Sequence, residues 1–193
     1  MMAVSQEDEH ALVRAAAAGN HEAFAALVDR HASAVLSVTT RMVGNAADAQ
    51  DLAQETFVSA HKALGRFQFG SKLSTWLYRI AVNKCKDWLR ARRAWTVSVH
   101  EEDEDGALKW DVPDEQTPLG ALVQSEVARE LEQGIAGLPA LYREAFVLKH
   151  IEGLDYQEMS DILGVAGDTL KMRVYKARTL LCRTLAHLED SGR

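Results

Sequence analysis

Cysteine and proline are scarce in this 193-residue chain, and a long apolar run is missing. Each shortage excludes something. The two cysteines, Cys85 and Cys182, stand far apart on separate predicted helices. They lack the paired spacing of a metal site or redox motif, so both are expected to be small buried hydrophobes. With only three prolines, no β-branched alternation and many strong helix formers, the chain is expected to be all-α. No stretch approaches the roughly 18 apolar residues of a membrane span. The acidic start SQEDEH is no secretory signal. The expected location is therefore the cytoplasm, without membrane insertion. No Gly-rich phosphate loop, metal-ligand cluster or nucleophile motif occurs, and the seven histidines are scattered, so neither an enzyme nor a cofactor is expected.

What is present is a globular composition, 47% hydrophobic and 26% charged, with charge sorted along the chain. The net charge is −6, yet Ser71 to Arg93 carries seven Lys/Arg against the single acid Asp87, a local +6. Pattern matters more than the sum. At helical spacing Leu73, Leu77, Ile80, Ala81, Cys85 and Trp88 fall on one apolar stripe. Lys72, Trp76, Arg79, Asn83, Lys86 and Arg90 fall on the opposite side, where positive charge, an amide and a large ring share a surface suited to nucleic acid. Just before it lies the loop Arg66-Phe67-Gln68-Phe69-Gly70-Ser71. Rings beside a basic helix can stack on unpaired bases, which an intact duplex hides, so opened DNA fits better than duplex alone. At least one of Phe67 and Phe69 is expected to close the core over the turn instead.

Upstream, a first helix stops at Gly19, after a possible Ser5/Asp8 capping pair. Asn20 caps a second, in which Phe24, Leu27, Val28, Val35, Val38 and Met42 recur at three- and four-residue steps up to Gly44. Asn45 caps a third helix with two faces. Ala49, Leu52, Ala53, Thr56, Phe57, Ala60 and Leu64 are expected inside. Asp48, Asp51, Gln54 and Glu55 form an acidic outer face, which either balances the helix dipole or docks a partner.

Downstream, the stretch EEDEDGALKWDVPDEQTP holds eight acids, one lysine and two prolines, and residues 94–123 are assigned as an acidic linker, with Trp110 as an anchoring point. From Gln124 the helical pattern resumes. Val127, Leu131, Ile135 and Leu138 mark one helix. Pro139 opens another that runs to about Ile151, Asp155 and Glu158 cap a short helix, and a Gly164 to Gly167 turn leads into a long one from Asp168. That is helix-turn-helix spacing. In the last helix Leu170, Val174, Ala177, Leu181, Leu185 and Leu188 point inward. Asp168, Met172, Tyr175 and Thr179 point away, flanked by Lys171, Arg173, Lys176 and Arg178. A basic, exposed N-terminal half of this kind can enter a major groove.

Two segments carry a resemblance. DAQDLAQETF followed by STWLYRIAVNKCKDWLR, and GLDYQEMSDILGVAGDTLKMRVYKAR near the C-terminus, resemble the extracytoplasmic-function (ECF) group of bacterial RNA polymerase sigma factors. The resemblance implies three parts: residues 1–93 as sigma domain 2, a linker over 94–123, and residues 124–193 as sigma domain 4. It implies that Asp48, Asp51, Gln54 and Glu55 dock on core RNA polymerase (its β and β′ subunits). Phe67, Gln68, Ser71, Lys72, Trp76, Arg79, Asn83, Lys86 and Arg90 would meet the −10 promoter element, with Asn83 in the part that captures a flipped-out base. Thr169, Lys171, Met172, Arg173, Tyr175, Lys176 and Arg178 would meet the −35 element, and an anti-sigma factor would hold the protein inactive. The linker would thread a positively lined polymerase channel, as a nucleic-acid mimic. The family's usual −35 pattern has glycine at the position of Asp168 and a small polar residue at that of Met172, so the DNA sequence read is left open. Two alternatives remain at this level: an autonomous helix-turn-helix regulator, which would leave the loop and the acidic helix idle, and a decoy for an anti-sigma factor, which need not keep two basic faces.

Overall fold

The computed structural model describes residues 6–97 and 126–190, and side chains within 8–92 and 129–186. The Ser5 cap, Trp110 and most of the assigned linker lie outside the described residues. The described residues form eight α-helices and no strand: α1 (Gln6–Ala17), α2 (His21–Val43), α3 (Ala46–Ala63), α4 (Leu73–Val97), α5 (Glu126–Ala136), α6 (Ala140–Phe146), α7 (Tyr156–Leu163) and α8 (Gly167–Asp190). A 3-10 turn, Leu64–Arg66, follows α3, and a π-helical turn, Val147–Ile151, continues α6.

Polar side chains set the helix starts. Asn20 accepts from the Ala23 N–H at 3.0 Å and Asn45 from the Asp48 N–H at 3.1 Å, satisfying donors that have no partner within their own helix. Asp155 and Glu158 form the reciprocal capping box of α7, at 2.8 and 3.0 Å. Gly164 then ends α7 at φ 67°, a left-handed conformation that costs glycine nothing, and its N–H bonds Ser160 O. Gly134 serves close approach instead: a Cβ there would meet Leu181 Cδ2 of α8 at 3.1 Å.

Two apolar cores result. One joins α1, α2, α3 and the start of α4 through Val13, Leu27, Val35, Ala60, Leu73 and Leu77. The other joins α2, α3 and α4 to all the C-terminal helices through Val38, Met42, Tyr78, Val82, Leu148, Met159 and Leu170. The two halves of the chain therefore share a core, and α2 touches both. Burying each of the Val, Leu and Met side chains among them stabilises the fold by about 1.5–3 kcal/mol.

Four sequence expectations need correction. Tyr78 and Val82 of α4, off the predicted apolar stripe, are buried at 6% and 0%, because α7 and its neighbours cover a second side of that helix. Leu131 of α5, expected inside, is 37% exposed, because that helix meets the core at Ile135, and Leu138, expected on the same helix, is buried in the turn that follows it. Phe57 is only half-buried. Cys85 is buried as expected but Cys182 is exposed, since it follows Tyr175 and Thr179 along the outer side of α8.

Candidate nucleic-acid interface

On α3, Asp51, Gln54 and Glu55 are exposed and Asp48 is half-buried, so the four residues share an outer face. Glu55 pairs with Lys84 of α4 at 3.0 Å and Asp48 with Arg92 at 3.7 Å, which aligns the acidic face with the basic helix beside it. Exposed pairs of this kind contribute at most about 1 kcal/mol. Among the described residues Asp51 and Gln54 have no ion-pair or side-chain hydrogen-bond partner.

The loop between the 3-10 turn and α4 carries a row of rings. Phe67 lies 5.1 Å from Phe69 and 5.4 Å from Trp76, centroid to centroid. Phe67 and Trp76 are half-buried and pack on the first core. Phe69 is 36% exposed and has φ 55°, a left-handed conformation that costs a bulky residue about 1–3 kcal/mol. Gln68 is exposed and Ser71 half-buried beside it. Further along α4, Arg79, Asn83 and Arg90 are exposed, so rings, amide and guanidinium groups line one continuous side.

Two lysines of this surface face the other half of the chain. Lys72 pairs with Glu158 of α7 at 2.8 Å, and this bond raises the lysine pKa above its ordinary value. Lys86 pairs at 2.8 Å with Glu144 of α6, and Arg173 of α8 meets the same carboxylate at 3.0 Å. Glu144 is only 1% exposed. A residue assigned to −10 DNA and one assigned to −35 DNA thus share one buried anion. Nearby, Glu152 accepts from Tyr78 at 2.6 Å and from Ser37 at 2.8 Å, and burial together with that bond pushes the Tyr78 phenol pKa up. Arg41 meets Glu132 at 2.7 Å. Arg143 donates to Met42 O at 2.8 Å, Leu138 O at 2.9 Å and Ala136 O, and burial lowers its pKa to about 10.

On α8, Thr169, Lys171, Met172, Tyr175, Lys176 and Arg178 are all exposed, Met172 and Tyr175 by 55% and 66%. Lys171 is held by Asp168 at 3.0 Å, which raises its pKa. Sequence reasoning missed Glu144, Glu152 and Arg143. Nothing in LYREAFVLKHIEG distinguishes buried charges from surface ones, because their partners lie up to 115 residues away.

Among the described residues this is an all-helical protein with a ring-bearing basic helix and a helix-turn-helix. Residues 27–95 match the model of Sigma-70 region 2, and residues 128–181 that of Sigma-70, region 4. The chain is 35% identical over 192 residues to RNA polymerase sigma-H factor of Pseudomonas aeruginosa, covering 96% of this chain and 97% of that protein. It is 34% identical to the ECF RNA polymerase sigma factor SigW of Bacillus subtilis, covering 88% and 92%. The fold is similar to that of CnrH in complex with the cytosolic domain of CnrY (TM-score 0.66, 29% identity, 93% of this chain and 97% of that one). It is also similar to the sigma factor RpoE in complex with the anti-sigma factor NepR from Bartonella quintana (TM-score 0.69, 26% identity, 84% and 96%). The chain belongs to the ECF sigma factors, which act in transcription initiation.

Proposed function

We propose that this sigma factor binds core RNA polymerase through the outer face of α3, opens the −10 element with the loop and α4, and recognises the −35 duplex with α8. It performs no covalent chemistry of its own. The observation that carries this reading is the side-by-side placement of an acidic face with unoccupied Asp51 and Gln54 and a basic, ring-bearing face with exposed Arg79 and Asn83. A protein docked by the first would present the second to DNA held by the polymerase. Rings take unpaired bases and cations take phosphate, so the site favours opened DNA over closed. On α8, Lys171, Lys176 and Arg178 suit phosphate or guanine edges, and Met172 suits a thymine methyl. Residues 1–93 and 124–193 then act as two DNA-binding modules, and each gains affinity once both sit on one polymerase.

The solved complex of the similar sigma factor RpoE with the anti-sigma factor NepR supports an anti-sigma partner as the holding device. The shared core of the two halves supports a held state as well. Lys72, Lys86 and Arg173 must exchange carboxylates for phosphates before they can grip DNA.

Two substitutions separate the roles. Asp51→Arg should weaken association with core polymerase about tenfold or more while leaving the fold intact, as measured by co-elution with core. Asn83→Ala should leave that association unchanged and lower promoter opening by about tenfold, a loss of the size expected for one base contact. If Asp51→Arg binds core as tightly as the wild type, the docking face is elsewhere.

A further inference from the structure

We propose that α1 belongs to the promoter-opening site. Its His10 and Arg14 hold Phe69 at the tip of the loop, and Phe69 supplies a stacking ring for an unpaired base in addition to Phe67. The proposal rests on the assignment of this loop to the −10 element.

Three observations carry it. Phe67 packs against the first core, whereas Phe69 belongs to neither core and stands 36% exposed, so closing the turn does not account for the second ring. Phe69 keeps φ 55°, a conformation that glycine or asparagine usually supplies, although Gly70 is its neighbour. Backbone strain of this kind persists where surroundings over-determine it, and it clusters at binding sites. Those surroundings come from α1: the His10 ring meets Phe69 edge to face at 4.8 Å, and the Arg14 guanidinium sits 5.8 Å from the ring centroid. The row His10, Phe69, Phe67, Trp76 is therefore continuous from α1 to α4, with spacings of 4.8, 5.1 and 5.4 Å. Arg14 is itself exposed, which leaves a cation beside the ring for the phosphate of the stacked nucleotide. His10 and Arg14 are positioning residues in this scheme, and Phe69 touches DNA.

Phe69→Gly tests it cleanly, because glycine accepts the backbone conformation while removing the ring. With wild-type core polymerase and a duplex library randomised over the −10 region, opening is read by permanganate reactivity of unpaired thymines, and base preference by sequencing the transcripts. The expected result is an unchanged or raised melting temperature, unchanged core association, and opening reduced about tenfold at every −10 sequence, because a ring stacks on any base. His10→Ala and Arg14→Ala should each reduce opening about threefold, with recovery in His10→Phe and Arg14→Lys, which keep ring and charge. A Phe69→Gly protein that opens the library as the wild type does overturns the proposal and leaves the sigma-factor reading standing. A wild-type protein that opens nothing with core overturns that reading and this proposal together.

Discussion

At the scale of single residues, the buried charges decide most. Arg143 is 3% exposed and holds three backbone carbonyls, one of them Met42 O from the other half of the chain. Removing it leaves buried acceptors without donors, which costs about 1–3 kcal/mol apiece. Arg143→Met is thus expected to lower stability by about 3 kcal/mol or more, as a shift of the urea midpoint. The thiols differ in a way that alkylation can read. Burial pushes Cys85 up to about 12, so it stays protonated and covered at neutral pH, while Cys182 lies open on α8. One equivalent of iodoacetamide should label Cys182 in the folded protein, and Cys85 only after unfolding. Two labels in the native state would contradict the packing of α4. Sequence alone treated both cysteines alike, because periodicity places a residue on a helix side without telling how far along the helix its neighbours extend.

At the scale of elements, much of the architecture was legible. Asn20, Asn45 and the Asp155/Glu158 pair announced three helix starts, and each makes the expected hydrogen bond. The inner side of α3 and the inner stripe of α8 follow the 3.6-residue period, with Ala49, Leu52, Ala60, Leu170, Ala177 and Leu181 all buried. The acidic and basic outer faces were legible for the same reason. The second buried side of α4 was not, since Tyr78 and Val82 become core only when helices from beyond residue 125 arrive. The π turn after α6 was equally hidden. It buries Val147 and Leu148 and lets Lys149 reach Leu154 O at 2.9 Å and the Tyr156 ring at 4.8 Å. The role of α1 lay out of view too, because contact between His10 and Phe69 spans 59 residues of sequence and shows no period.

At the scale of the whole molecule, the cations proposed to meet DNA also pair with carboxylates, Lys72 and Lys86 doing so across the two halves. Lys86 and Arg173 share Glu144, and Lys72 meets Glu158, so this arrangement neutralises part of each surface proposed to face DNA. A partly buried ion pair returns little net stability but penalises the loss of one partner. Joint replacement Glu144→Ala and Glu152→Ala should therefore loosen the contact between the halves. In solution scattering, the wild type should lie near the ~16 Å radius of gyration of a compact chain of this length, and the double variant measurably above it. Equal radii would mean that the apolar part of the shared core suffices to keep the halves together.

The central claim is that two faces on neighbouring helices let this chain hold a polymerase and part a promoter. Sigma-free core polymerase, genomic fragments and the purified protein provide the direct test, read by sequencing the 5′ ends of the transcripts. The account predicts discrete start sites that appear only when the protein is added and disappear with Asp51→Arg. Failure of the wild-type protein to co-elute with core, together with no start site dependent on it, would contradict the claim.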